Sequence, residues 1–270
     1  MRHVRPAVAI EESTLRDIQN ELDIRGVPID RVGVASVKYP VSLVDGQLAQ
    51  SGVADFDITV ALSADKRGTH MSRMVELIRD HLTELDPRRL PIVLKVAADA
   101  FEARTVSIGA EIQFATEVAA PVTGRSVYQV HGLRLDASLD QAGVDIQSTV
   151  TAEVTSLCPC SKAISDYGAH NQRSNVRLTT VGSADTPYPI SASEAVSMIR
   201  SIGSAPVYPI VKRPDERHIT MQAFDHPVFV EDMVRDLSVR CDLLQVRHRV
   251  EVRNLESIHS HDAVASIDRR

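Results

Sequence analysis

The order in which hydrophobic periods follow one another constrains this chain most, because the same order is read twice. Arg31 to Val44 is rich in Val and Tyr and reads as a strand. Asp55 to Leu62 alternates, with Phe56, Ile58, Val60 and Leu62 on one face. From Met71 to Leu85 the period lengthens. Met71, Met74, Val75, Ile78, Leu82 and Leu85 form the stripe of an amphipathic helix. Asp86-Pro87 stops it, and Val93, Val96, Ala97, Ala100 and Phe101 mark a second helix. Alternation returns over Val106–Val118 and Ser126–Leu135, two strands separated by Pro121-Val122-Thr123-Gly124.

The second pass begins at Val144. Val144, Ile146, Ser148, Val150, Ala152 and Val154 share one face of a long strand, and a further strand covers Ser174–Val181. Ser191-x-x-Glu194 is a capping box opening a helix that ends at Gly203. Asp225 with Pro227 starts another, whose stripe is Val230, Met233, Val234, Leu237, Cys241 and Leu244. Val246, His248, Val250 and Val252 alternate with charged residues, and a short strand covers Ala263–Ile267. Both halves read β-β-α-α-β-β. The expectation is an α+β chain with a loosely attached N-terminal arm over 1–29 and duplicated halves over 30–140 and 141–270. Each half is an antiparallel sheet with two helices on one face. Open sheets leave edges that need cover. Pairing edge to edge into a closed ring supplies it, so a symmetric oligomer is expected.

Composition removes several classes of function. The 270 residues carry 30 Lys+Arg against 36 Asp+Glu, a net charge of −6. An acidic chain does not hold nucleic acid by charge alone. Five Tyr, five Phe and no Trp leave little for a base-stacking surface. No signal peptide or membrane span is visible, so a cytoplasmic protein without membrane contact is expected. Three cysteines, Cys158, Cys160 and Cys241, are too few for a disulfide framework.

Two of those cysteines stand one residue apart, in Leu157-Cys158-Pro159-Cys160-Ser161-Lys162. The segment Gly168-Ala169-His170-Asn171-Gln172-Arg173-Ser174 follows closely. Two thiols, a Lys, a His and an Arg in one connection between strands make poor core chemistry. Cys-x-Cys is too tight for a structural zinc knuckle, and no second pair exists. What remains is a mixed site of thiolate, imidazole and a carboxylate with an open position, the pattern of a catalytic metal. Two buried thiols are the competing reading, since free Cys is among the most buried residue types. A redox dithiol is disfavoured because so short a loop strains a disulfide. Cys241 falls on a helix stripe and is expected in the core.

Three more clusters stand out. Val211 to Arg217 is a charge run that reads most simply as a solvated loop. Glu231 has Arg235 at i+4 for an ion pair. His259-x-His261 alternates like a strand, which puts both imidazoles on one face.

Taken together, these strings strongly resemble the prokaryotic GTP cyclohydrolase I of type IB. Gly68-Thr69-His70-Met71-Ser72-Arg73, Lys212 to Glu216 and Glu256 to His261 look like that family too, in register from about Ile29 to the C-terminus. The resemblance implies the tunnelling fold (T-fold), with the duplicated unit closing into a homotetrameric barrel and active sites at subunit interfaces. It implies conversion of GTP and water to formate and 7,8-dihydroneopterin triphosphate, the first step toward folate-type pterins. Carried over by motif, Cys158, His170 and Glu216 are metal ligands, and Cys160 is a proton-transfer residue. Glu231 is the acidic anchor for guanine, and His259 and His261 are acid–base groups. Zn²⁺, Mn²⁺ and Fe²⁺ all suit such a donor set. Lys162, Arg173, Lys212 and Arg213 are candidates for the triphosphate by closeness in sequence. The alternatives are another tunnelling-fold enzyme acting on a pterin- or purine-like substrate, and an inactive nucleotide-binding relative.

Overall fold

Long alternating stretches build long hairpins in the computed structural model, which describes residues 17–46 and 48–270. The expected arm therefore lies outside the described residues as far as position 16. β1 (Ile29–Asp45) pairs antiparallel with β2 (Leu48–Leu62). α1 (Met71–Leu77) follows and runs into a π-helical turn over Ile78–Leu82. The helix thus stops short of Leu85, which belongs to a short strand, β3 (Glu84–Leu85), parallel to β1. α2 (Leu90–Phe101), β4 (Val106–Ala119) and β5 (Ser126–Asp140) complete the first half. The second contains β6 (Gly143–Leu157), a short α3 (Pro159–Ile164), β7 (Asn171–Gly182), α4 (Ala192–Arg200) and β8 (Ala205–Pro206). It ends with α5 (Arg213–Asp225), α6 (Val230–Leu243), β9 (Arg247–Asn254) and β10 (Ala263–Arg269).

α5 corrects the sequence reading. The charge run that reads as a loop is its first turn, and Asp225 ends this helix instead of starting the next. Pro214 sits where a helix tolerates proline, in the first turn.

The two halves share one sheet, in the order β10-β9-β7-β6-β5-β4-β2-β1-β3. The β5–β6 hairpin, paired from Gly132↔Thr151 to Asp140↔Gly143, joins them. One face carries the alternating apolar residues. Phe56, Ile58, Ile108, Phe114, Leu133, Val150 and Leu178 pack there into one continuous core under the helices. The opposite face is polar. At Gly109 a Cβ would stand 2.3 Å from the Arg134 guanidinium, which pairs with Asp136 at 2.8 Å on that face.

Two buried aspartates fasten the first half to helices of the second. Asp45 accepts from Ser193 N at 2.9 Å and Ser193 Oγ at 2.7 Å, at the start of α4. Asp215 accepts from Val122 N and Thr123 N at 2.9 Å, from Thr123 Oγ1 at 2.7 Å and from Lys212 N at 3.0 Å. Burial pushes the Asp215 carboxyl up, but these hydrogen bonds outweigh it and hold it well below the usual carboxylate range. The described part of the arm lies against the loop before α1. Leu22 bridges Lys66 there, and the Gln19 amide donates to Thr69 O at 2.9 Å. Among the described residues no helix is long and apolar enough to cross a membrane.

Candidate active site

β6 ends at Leu157, and Cys158 takes up an extended backbone as the N-cap of α3, with proline next to it. Its Sγ accepts from Ser161 N at 3.4 Å. Cys158 N donates to His170 O at 3.0 Å, which draws the two ends of the connection together. Both residues line a cavity of about 290 Å³ with Glu231, His259 and His261. Four separate stretches of chain meet there: the end of β6, the start of β7, the first turn of α6 and the loop after β9.

A buried polar chain fixes the floor. Ser174 Oγ donates to Asn254 Oδ1 at 2.6 Å, Asn254 Nδ2 to Ser156 Oγ at 3.1 Å, and Ser156 Oγ to Val228 O at 2.8 Å. From the other side Leu157 N donates to Ser204 Oγ at 2.9 Å. Networks of this kind hold one geometry because each unpaired member would carry a desolvation cost.

His170 Nδ1 lies 2.8 Å from Gln172 Oε1. The amide oxygen is an acceptor, so the ring proton sits on Nδ1 and the Nε2 lone pair is free. Gln172 in turn reaches Glu256, whose Oε1 is 3.5 Å from Gln172 Nε2 and whose Oε2 is 3.9 Å from His170 Nδ1. Gln172 and Glu256 both line the cavity, and sequence reasoning gave neither a role. The signal was parity: His170, Gln172 and Ser174 recur at period two, which puts them on one face.

His259 and His261 lie in the loop between β9 and β10, not on a strand. Their rings nevertheless stack, with centroids 5.1 Å apart and planes at 18°. Glu231 does not make the i+4 pair with Arg235. Asp232 takes that arginine at 3.7 Å and caps Phe229 N at 2.9 Å, and Glu231 lines the cavity.

Other candidates do not line it. Cys160 is exposed on α3. Glu216 belongs to the first turn of α5. Lys162 donates to Phe224 O and sits 4.3 Å over the Phe224 ring. Arg173 pairs with Glu153 at 3.6 Å, and Lys212 and Arg213 are exposed where α5 begins. Among the described residues no three of His, Cys, Asp and Glu cluster closely enough in one chain to hold a metal ion. Cys241 is in the core, where burial, helped by Asp242, pushes its thiol up to about 11.

Chemically, the cavity joins a thiol and three imidazoles, the groups of proton transfer and metal binding, to carboxylates able to accept paired N–H groups. Residues 15–265 match the family described as type I GTP cyclohydrolase folE2. The GTP cyclohydrolase FolE2 of Methylococcus capsulatus is 40% identical over 262 residues, covering 96% of each chain. That of Fervidobacterium nodosum is 36% identical over 257 residues, 94% of this chain and 97% of its own. In fold, the chain resembles the uricase of Arthrobacter globiformis, a tunnelling-fold protein, with a TM-score of 0.51 at 8% identity over 89% of this chain and 94% of that one.

Proposed function

This chain belongs to the type I GTP cyclohydrolase FolE2 family, and we propose that the Cys158–His170 cavity carries out its reaction. That reaction converts GTP and water to formate and 7,8-dihydroneopterin triphosphate, the first step toward folate-type pterins. The observation that carries the assignment is the convergence of Cys158, His170, Glu231, His259 and His261 on one cavity from four stretches of chain.

The residues fit a divalent metal. A thiol and an imidazole with its Nδ1 proton already engaged are the donors such an ion takes. Cys158 and His170 would supply two of its ligands, and Glu216, which stands on α5 outside this cavity, is the carboxylate ligand carried over by motif from the family. Bound there, Zn²⁺, Mn²⁺ or Fe²⁺ supplies Lewis-acid activation of water near neutral pH. The chain's own groups do the rest. The Glu231 carboxylate accepts the two neighbouring N–H groups of guanine and so orients the base. That presents the imidazole ring of the purine to the thiol–histidine end of the cavity. Opening this ring needs a proton for the departing nitrogen, a role that His259 and His261, stacked in the wall of the cavity, would fill. Cys160, exposed on α3 outside the cavity, is a second proton carrier by the same family motif. The outer side of β1, which β3 covers only at Ser42 and Leu43, and the open edge of β10 support closure of the sheets into a homotetrameric barrel.

The test is to incubate metal-stripped protein with GTP and each of Zn²⁺, Mn²⁺ and Fe²⁺. Formate release and a fluorescent oxidised neopterin are followed. Product with at least one metal is expected, and none with any of them overturns the reading. Cys158→Ala is expected to abolish turnover while the oligomer survives.

A further inference from the structure

Glu216 is exposed in the first turn of α5, outside the cavity that holds Cys158 and His170. A glutamate there has many rotamers and no fixed direction of its own. Its helix, however, is held from two sides. Positions i, i+3 and i+7 of a helix share a face, so Glu216, Ile219 and Ala223 lie on one stripe of α5. Ile219 and Ala223 pack with Leu157 and Ala169. Leu157 precedes Cys158 in the chain, and Ala169 precedes His170. The stripe that carries Glu216 thus rests on the connection that carries the other two donors. At the far end of the helix, Lys162 of α3 donates to Phe224 O.

Apolar packing is non-directional, so it does not by itself fix the rotation or height of the first turn. Asp215 does. It is fully buried beside exposed Glu216. Its Oδ1 accepts from Val122 N and Thr123 N, both at 2.9 Å, in the turn between β4 and β5. Its Oδ2 accepts from Thr123 Oγ1 at 2.7 Å and from Lys212 N at 3.0 Å. One carboxylate therefore clamps the start of α5 to a turn of the first half of the chain.

We propose that Asp215 is a positioning residue of the metal site. By clamping the first turn of α5 it sets the reach of Glu216, and with it the affinity of the chain for its metal. The inference rests on Glu216 being the carboxylate ligand. The molecule contains its own comparison. Asp45 is buried at the start of α4 and accepts from Ser193 N at 2.9 Å and Ser193 Oγ at 2.7 Å. That tether is similar in chemistry, but α4 carries none of the metal donors assigned above.

The test reads Zn²⁺ affinity of the full-length protein by competition with a chromogenic chelator. In Asp215→Asn the side chain keeps its shape but turns an N–H₂ group toward N–H and O–H donors. This variant is expected to bind Zn²⁺ at least about tenfold more weakly, the usual effect of losing a group that orients a ligand. Thr123→Val removes only the hydroxyl bond and is the milder variant should Asp215→Asn fail to fold. It is expected to weaken binding about threefold, the smaller end of what one hydrogen bond contributes. Asp45→Asn is expected to bind Zn²⁺ as the wild type does, although it also loses a tether. Wild-type affinity in Thr123→Val or in folded Asp215→Asn overturns the proposal, and so does an equal loss in Asp45→Asn. Wild-type affinity in Glu216→Gln would instead sink the ligand assignment, and the proposal with it. No nucleotide enters this assay, so failure of the GTP reading leaves its outcome untouched.

Discussion

His131 shows how one side chain couples this fold to pH. It is buried on β5, with Nε2 2.9 Å from Thr116 Oγ1 and its ring 5.5 Å from Phe114. Burial, and after it the charge of Arg200, push its pKa from 6.5 down to about 4. The folded chain therefore keeps it neutral where the unfolded chain binds a proton. Stability is full above the unfolded value and is lost as pH falls through the window from 6.5 to 4. The loss is roughly 3 kcal/mol. His131→Gln should flatten this limb when urea midpoints are compared at neutral and mildly acidic pH. An equal acid loss in both proteins would show that other groups cause it. The cysteines separate in the same residue-by-residue way. Native protein treated with a thiol reagent should label at exposed Cys160 first, and at Cys241 only on unfolding. Early labelling of Cys241 would contradict its place in the core.

At the level of elements, what the sequence revealed and what it hid follow from the range of the forces involved. Strands such as β2 and β6 announce themselves because alternation is local and one face must be buried. α5 did not, because Arg213 to Arg217 holds no apolar residue to start a stripe. Its first turn is fixed instead by Asp215 reaching Val122 and Thr123, about ninety residues away in sequence. The same range separates the candidate residues. Cys158 and His170 were readable as a pair because one connection carries both. Gln172, Asn254 and Ser156 acquire their roles only when β6, β7 and β9 lie side by side. Two substitutions probe these contacts. Thr123→Val removes the 2.7 Å bond to Asp215 and should cost about 1–2 kcal/mol of stability. Unchanged denaturant midpoints would show that the tether is idle. Gly203→Ala places a Cβ 2.6 Å from Val154 and 2.8 Å from Thr155 O. It should push Ser204 away from Leu157 N and depress GTP turnover well beyond any loss of folded protein. Wild-type turnover would show that this floor does not position Cys158.

For the molecule as a whole, the duplication was visible in the order of periods, but the way the halves join was not. The boundary expected at position 140 falls inside the β5–β6 hairpin, where Asp140 pairs with Gly143 and the ladder runs back to Gly132↔Thr151. A cut there exposes two unpaired strand edges. It also strands Asp45 without the start of α4 and Asp215 without the turn at Val122 and Thr123. The apolar core crosses the same line without a break, from Val41 in the first half to Val252 in the second. Two units with separate cores would unfold independently, whereas a continuous core and sheet make each half's stability conditional on the other. Urea unfolding followed by circular dichroism and by tyrosine fluorescence should therefore give one coincident transition. Residues 141–270 expressed alone should lack cooperative unfolding. Two resolved transitions, or a cooperatively folded 141–270 fragment, would mean that the shared sheet joins two self-sufficient domains.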